Sequence, residues 1–282
     1  MLNVLRFLRQ NPRITIGFAL IGCMLLFWLI GNATIGTSKA VPISAPPDLP
    51  PSAHYPLGTD SAGRQLLPVL IAGVPLTLEV GLLAGGVGLL IGAVLGFTAG
   101  YFGGPIDAII RTAADVILPI PALAVLVVIA STIHTLLSVE IMALVIASLA
   151  WMYPTRTIRA QVLTMRNRAF VDVGRLSGES HLAIIFRELM PNLLPYLAAS
   201  FVGAVGAGIL AGIGLEALGL GPQDKPTLGM TIFWAIYYGA TLRGMWWWWG
   251  PPIVILVLVF LSLFLIAQGL DRYANPRLRQ TV

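Results

Sequence analysis

Charge is what this sequence has least of. Asp, Glu, Lys and Arg make up 10% of its 282 residues, against about a quarter in a soluble globular chain. Lysine is confined to Lys39 and Lys225, and neither stands in Gly-x-x-x-x-Gly-Lys-Ser/Thr, the loop whose backbone amides cradle nucleotide phosphates. The chain therefore does not bind ATP by that motif. Cys23 is its one cysteine and lies in an apolar run, which excludes an intrachain disulfide, a cysteine metal cluster and a dithiol redox pair. The histidines, His54, His134 and His181, fall one to a segment. Neither His-Glu-x-x-His nor Gly-x-Ser-x-Gly occurs, so no catalysis and no metal site are expected.

What is present is apolar: 57% of the residues are hydrophobic, which makes this an all-α integral membrane protein. The net charge of +5 does not point to nucleic acid, because the arginines are spread between apolar runs and not gathered in one patch with interleaved aromatics. Six runs approach the length of about 20 residues that crosses a hydrocarbon core: Ile14 to Gly31, Leu76 to Phe102, Val116 to Leu137, Ile141 to Tyr153, Leu193 to Leu215 and Trp249 to Leu270. The first is read as an uncleaved span in preference to a signal peptide cut near Ala33 or Ala40, because the chain that follows needs an orienting segment. The expected organisation is 1–31, a terminus and first span; 32–75, a proline-rich external loop; and 76–282, a core of five spans. That core carries a polar loop at 156–192 and an external connection at 216–248. Pro119 and Pro121 predict a kink or local unwinding early in the third span. Glycines at steps of four, Gly88, Gly92, Gly96 and Gly100, mark one face of the second span, and Gly208 and Gly212 extend a small-residue series on the fifth. Helix packing is the reading preferred over pore lining, since small residues let backbones approach closely in lipid.

If the spans alternate, both termini, the 103–115 loop and the 156–192 stretch share one side. Thirteen basic residues (Arg6, Arg9, Arg13, Arg111, Arg156, Arg159, Arg166, Arg168, Arg175, Arg187, Arg272, Arg277 and Arg279) fall there, against Lys39, Arg64, Lys225 and Arg243 opposite. Cytoplasmic loops carry the arginine excess, so that side is the cytoplasm. The Trp246 to Trp249 run then lies at the outer interface and reads as an aromatic belt. Glu79, Glu140 and Glu216 fall near outer ends of spans. They read as interfacial carboxylates, with an ion-gradient carrier using Glu79 or Glu216 as the alternative of another class.

The stretch from Arg156 to Asn192 is the one long polar segment between apolar blocks. Asp172 and Arg175, then Arg175 and Glu179, have helical spacing over Ala169 to Gly178, and Gly178 ends that helix. A membrane body without an engine, carrying a folded cytoplasmic loop, describes a subunit powered by another protein.

Residues here resemble a known family, the membrane permease subunits of binding-protein-dependent ABC importers, in particular the second permease of the oligopeptide, dipeptide and nickel group. The family's loop pattern is Glu-Ala-Ala, three residues, Gly, then Leu-Pro. The same frame reads Asp172-Val173-Gly174, Gly178 and Met190-Pro191-Asn192 here, departing at Val173 and Gly174. Leu57-Gly58-Thr59-Asp60 with Gly63-Arg64, Gly100-Tyr101-Phe102-Gly103-Gly104 with Asp107, and Leu218-Gly219-Leu220-Gly221 with Leu228-Gly229-Met230 resemble further family segments. The resemblance spans about residues 54 to 275. It implies a six-span permease of the type I importer fold with both termini cytoplasmic, in a prokaryotic inner membrane. It implies a heterodimer with a second permease, two ATP-binding subunits that hold ATP and Mg, and an extracytoplasmic substrate-binding protein. Ala169, Phe170, Val171, Asp172, Val173, Gly174, Arg175, Gly178, Glu179 and Pro191 would dock the ATPase. Gly58, Thr59, Asp60, Gly63 and Arg64 would face the binding protein. Peptide is the first substrate expected, with oligosaccharide and nickel as alternatives.

Overall fold

A computed structural model of the protein describes residues 11–133 and 137–274. Arg6, Arg9, His134, Arg277 and Arg279 lie outside the described residues. The helices are α1 (Pro12–Thr34), α2 (Leu66–Phe102), α3 (Gly104–Ile117), α4 (Ala122–Ser131), α5 (Val139–Ala150), α6 (Met152–Met165) and α7 (Ala169–Leu176). There follow α8 (His181–Ala217), α9 (Leu228–Tyr237) and α10 (Trp246–Ala274). Four of them, α1, α2, α8 and α10, are long and apolar enough to cross a membrane unaided. The bent pairs α3 with α4 and α5 with α6 raise the number to six if each pair is one span.

Several expected boundaries move. Helix α2 starts at Leu66, so the last part of the 32–75 segment is helical and not loop. At 37 residues it is about 55 Å long, more than the roughly 30 Å hydrocarbon core needs. The third span is not one rod. Pro119 and Pro121 separate α3 from α4, which meet at 84°, because each proline removes a helical donor and crowds the preceding turn. The fourth span runs on past Tyr153 through a 44° bend to Met165. Arg156 and Arg159 therefore sit on a helix packed against α2, and the polar loop shrinks to α7 and its flanks. The 216–248 connection contains α9, and α10 begins at Trp246 with Pro251 and Pro252 in its early turns.

Helix α2 is the element the others surround, touching α1, α3, α5, α6, α8, α9 and α10. Its glycines divide between two neighbours. A Cβ at Gly88 would stand 2.5 Å from that of Ala150, one at Gly92 2.6 Å from Pro154 Cβ, one at Gly96 2.9 Å from the Thr155 carbonyl, and one at Gly100 2.7 Å from Val162 Cβ. These four lie against α5 and α6. Gly81 and Gly85 lie against Val205 and Ile209 of α8, from which Gly208 and Gly212 approach Ala84 and Val80. Apolar clusters fill the space between these backbones, one joining Val80, Ala84, Leu126, Met142 and Leu215, another Leu70, Val74, Val205, Ile209 and Leu256.

The Trp246 to Trp249 run departs from the belt expectation. Four consecutive helical residues point around most of the circumference, so they cannot all face lipid. Trp246 is exposed, whereas Trp248 is buried with Leu66, Ala235, Ala240 and Met245.

Gly85 and Gly86 separate close approach from mere flexibility. A Cβ at Gly85 meets the Val205 backbone nitrogen at 2.5 Å, and one at Gly86 meets only the Phe201 ring at 3.7 Å. Gly85→Ala should destabilise by about 1–3 kcal/mol, the usual cost of overpacking. Gly86→Ala should be neutral or gain about 0.5–1 kcal/mol from the higher helix propensity of alanine. Thermal unfolding in detergent checks both, and equal midpoints would contradict the packing described.

Candidate functional site

Three places gather the residues singled out from sequence: a short helix between α6 and α8, a cleft between the bent spans, and an ordered loop before α2. The short helix, α7, is closed by Gly178, whose φ of +78° allows the left-handed turn. The Glu179 N–H then donates to the Gly174 carbonyl at 3.1 Å and the Gly178 N–H to the Arg175 carbonyl at 3.1 Å, the paired bonds of a Schellman cap. Asp172 in the first turn and Arg175 in the last suit the helix dipole, and they bond each other at 3.2 Å. One face of α7 is anchored. Val171 is 0% exposed and packs with Phe97, Tyr101, Ile158, Val162, Ile184 and Leu189, while Gly174 is buried against α8. The other face is open and apolar, with Val173 62% and Leu176 88% exposed. Arg175 lies over the Tyr101 ring at 5.8 Å, and the Tyr101 hydroxyl shares a 3.0 Å hydrogen bond with His181 Nδ1. Tyr101 and His181 thus fasten α7 to the ends of α2 and α8, a pairing across distant segments that sequence spacing does not display.

Pro191 lies within α8, next to a π-turn over Ile184–Leu189. A proline there removes the N–H that would bond the residue four before it and crowds that carbonyl. The widened turn answers this: the Met190 N–H donates to the Ile185 carbonyl, and the Asn192 side-chain amide donates to the Glu188 carbonyl at 2.6 Å.

Above this turn a cleft of about 590 Å³ opens between the α3–α4 break, the α5–α6 bend and α8, with Leu118, Tyr153, Tyr196, Ser200, Gly203 and Ala207 on its walls. Small residues of α8 keep it open, and its walls are mostly apolar with Asp271 at the margin. Small residues at steps of four marked one face of α8, but nothing local marked the cleft, which exists only because two spans are bent.

The outer loop is built on Asp60. Its carboxylate accepts from the backbone N–H groups of Ala62 (2.9 Å) and Arg64 (2.8 Å) and from Arg64 Nε (2.5 Å). The Thr59 hydroxyl donates to the Pro46 carbonyl at 2.7 Å and accepts from the Leu49 N–H. Gly58 and Gly63 have positive φ, and a Cβ at Gly63 would meet the Ala45 carbonyl at 2.5 Å. Thr59, Asp60 and Arg64 are therefore buried. Their side chains organise the loop from within. A separate clasp holds this loop to the α9–α10 connection: Arg243 reaches Asp48 at 2.6 Å, and Ser61 donates to Asp48 at 2.6 Å.

Glu216, read from sequence as an interfacial carboxylate, is 2% exposed. The Thr227 hydroxyl donates to it at 2.5 Å, and its carboxylate lies over Gly229 at the start of α9. The Leu228 N–H donates to Thr77 of α2 at 3.0 Å. Glu216 therefore joins α8 to α9 at the outer end. This differs from a group held in reserve for a coupling ion. Glu79 is half-buried on α2, two residues on from Thr77.

With this geometry in hand, the chain can be compared with known proteins. Residues 88–280 match the family model of binding-protein-dependent transport system inner membrane components. The oligopeptide transport system permease protein OppC of Lactococcus lactis subsp. cremoris is 31% identical over 81% of this chain and 77% of its own length. The dipeptide transport system permease protein DppC of Bacillus subtilis is 29% identical over 93% of this chain and 82% of its own. The glutathione transport system permease protein GsiD of Pectobacterium atrosepticum is 27% identical, covering 77% and 72%. A chain of the inward-facing MetNI methionine ABC transporter superposes with a TM-score of 0.59, 20% identity and coverage of 73% of this chain and 94% of that one. That likeness is in the fold.

The hydrogen bond from Arg243 holds the Asp48 carboxyl below the ordinary carboxylate range. A lowered folded-state pKa contributes stability that is present above the unfolded value and lost as pH falls through the folded one. The clasp should thus stay closed at neutral pH and open in acid below the ordinary aspartate range. Amide hydrogen exchange across residues 39–65 should accelerate on acidification beyond the intrinsic rate change. Asp48→Asn should remove that extra dependence.

Proposed function

This chain belongs to the family of binding-protein-dependent transport system inner membrane components, and from that premise we propose how its parts divide the work of import. It is a permease subunit of an ABC importer, with the type I importer fold. It pairs with a second, different permease, so that the 590 Å³ cleft forms one half of a shared pathway. Two ATP-binding subunits on the cytoplasmic side carry ATP and Mg, and an extracytoplasmic binding protein delivers the cargo. The membrane is the inner membrane of a prokaryote. The cargo is a di- or oligopeptide, in keeping with OppC and DppC as relatives. A cleft walled by small and apolar side chains imposes little selection on peptide side chains, which leaves choice to the binding protein.

The observation that carries the coupling assignment is α7: one face locked into the bases of α2, α6 and α8, the other bare and apolar. Val173 and Leu176 would enter a hollow on the ATPase, with Ala169, Phe170, Asp172, Arg175 and Glu179 around them and Gly178 and Pro191 setting the entry and exit of the chain. Movement of the ATPases would then be passed on as rigid displacement of the three span bases through Val171 and Tyr101. A rigid lever acting on packed elements that have two arrangements is what such a switch requires.

The permease co-expressed with its partner subunits tests this. Placing an unpaired charge in an apolar interface costs about 3–5 kcal/mol. Leu176→Asp and Val173→Asp should each cut the ATP-binding subunits retained on purification by more than about tenfold and abolish peptide uptake. Gly203→Leu in the cleft, where a side chain has open space nearby, should leave retention intact and reduce uptake. Full retention in both aspartate variants would remove α7 from the docking surface.

A further inference from the structure

The 590 Å³ cleft has one ionisable side chain on its walls. Asp271 lies at the margin, one helical turn beyond Ala267, so this edge of α10 faces the cleft. The neighbouring positions round the helix face α1: Gln268 accepts from Arg13 at 3.0 Å, and a Cβ at Gly269 would meet the Ile14 side chain at 2.2 Å. Arg13 is thereby held on the other side of α10. Among the described residues no Lys, Arg or His comes within ion-pair distance of Asp271, and its carboxylate accepts no hydrogen bond.

The other polar groups of the cleft are hydroxyls. Those of Tyr153, Tyr196 and Ser200 have no hydrogen-bond partner among the described residues, whereas Thr157 spends its own on the Tyr153 and Pro154 carbonyls. A helical serine can bond back to a carbonyl in the preceding turn, as Ser148 and Ser262 do, so Ser200 stands out in keeping its hydroxyl open to the cleft. Hydroxyls donate and accept, while a carboxylate only accepts. The cleft thus offers one charged acceptor, three neutral hydroxyls and no cation. A few polar groups on otherwise apolar walls are what fix the orientation of a small ligand in a space of this size. Resting on the reading of the cleft as a peptide pathway, we infer that Asp271 receives the free amino terminus of the passing peptide. The cleft then reads the end of the cargo and not its side chains. An ammonium brings a full charge and three N–H donors to the carboxylate, whereas an acylated terminus keeps one N–H and no charge.

Uptake by the complete transporter, reconstituted in liposomes with its binding protein, tests this by comparing a free dipeptide with its N-acetyl form. The same binding protein serves every permease variant, so a change in the ratio of the two rates between variants belongs to the permease. Asp271→Asn breaks no ion pair and should keep the ATP-binding subunits. It should lower the free-to-acetylated ratio about fivefold, the upper range for an ion pair in contact with water, and Asp271→Glu should restore most of it. The ratio between the dipeptide and its C-terminal amide should not move. An unchanged free-to-acetylated ratio in Asp271→Asn, an equal fall in uptake of both forms, or the same shift in the amide ratio overturns the role of Asp271. Gly203→Leu tests the underlying reading separately. Full uptake in that variant removes the cleft from the pathway, whereas reduced uptake beside an unmoved Asp271→Asn ratio keeps the pathway and rejects the terminus site alone. Uptake of neither form by the parent removes the peptide cargo and this inference with it.

Discussion

Within a bilayer, burying apolar surface between helices gives no net drive, so contact must come from close packing of backbones and from polar groups that have no other partner. Helix α2 meets that constraint with glycine on two faces. Gly88, Gly92, Gly96 and Gly100 admit α5 and α6, and Gly81 and Gly85 admit α8. Everything functional hangs from these contacts. The bases of α2, α6 and α8 hold α7 through Val171, and residues of α5, α6 and α8 line the cleft. At the other end the same pattern recurs in polar form, where Glu216 on α8 accepts from the Thr227 hydroxyl and Thr77 on α2 accepts from the Leu228 N–H, both buried.

The fold class and the family were legible in the sequence because they rest on run lengths, charge asymmetry and short local motifs. The four-residue glycine steps needed only helical periodicity to be noticed. What escaped were features made by departure from straight helices. The third span was read from Val116 to Leu137 with a kink at Pro119 and Pro121, but neither the size of that kink, which sets α3 and α4 at 84°, nor the start of α3 at Gly104 was legible. Composition cannot tell a bent apolar run from a straight one. Arg156 and Arg159 look like loop residues by charge alone, but the Asp107 pair lets Arg159 lie on a packed helix. The Asp60 loop shows the converse. Its turn residues were plain, while their inward direction followed only from the backbone bonds that the carboxylate accepts. Glu216 and the tryptophan run were assigned to interfaces by position, and tertiary packing buried Glu216 and Trp248.

The two ends of the molecule are fastened differently. The cytoplasmic end depends on apolar packing under a capped helix, with an aromatic-cation contact and a tyrosine-histidine bond at its edge. The outer end depends on carboxylates, at Asp48, Asp60 and Glu216. A helix that must move as a unit when pushed gains from dense nonpolar contact, which resists shear without directional bonds. A loop that must hold one shape in water gains from charge-assisted bonds, which are directional and stronger than neutral ones.

The π-turn before Pro191 sets the phase of α8. One extra residue in a helix rotates all that follows by about 100° relative to an uninterrupted one. Within the turn, Ile184, Ile185 and Leu189 pack with Val171 of α7. Above it, Gly208 and Gly212 face α2 while Ser200, Gly203 and Ala207 line the cleft. A regular α-helix through this point would aim one of these sets at the wrong neighbour. The turn before Pro191 therefore acts as an angular offset, matching one part of α8 packed on α7 with another that lines the cleft. Any change that relaxed the turn to regular geometry would set the two halves about a quarter turn out of step.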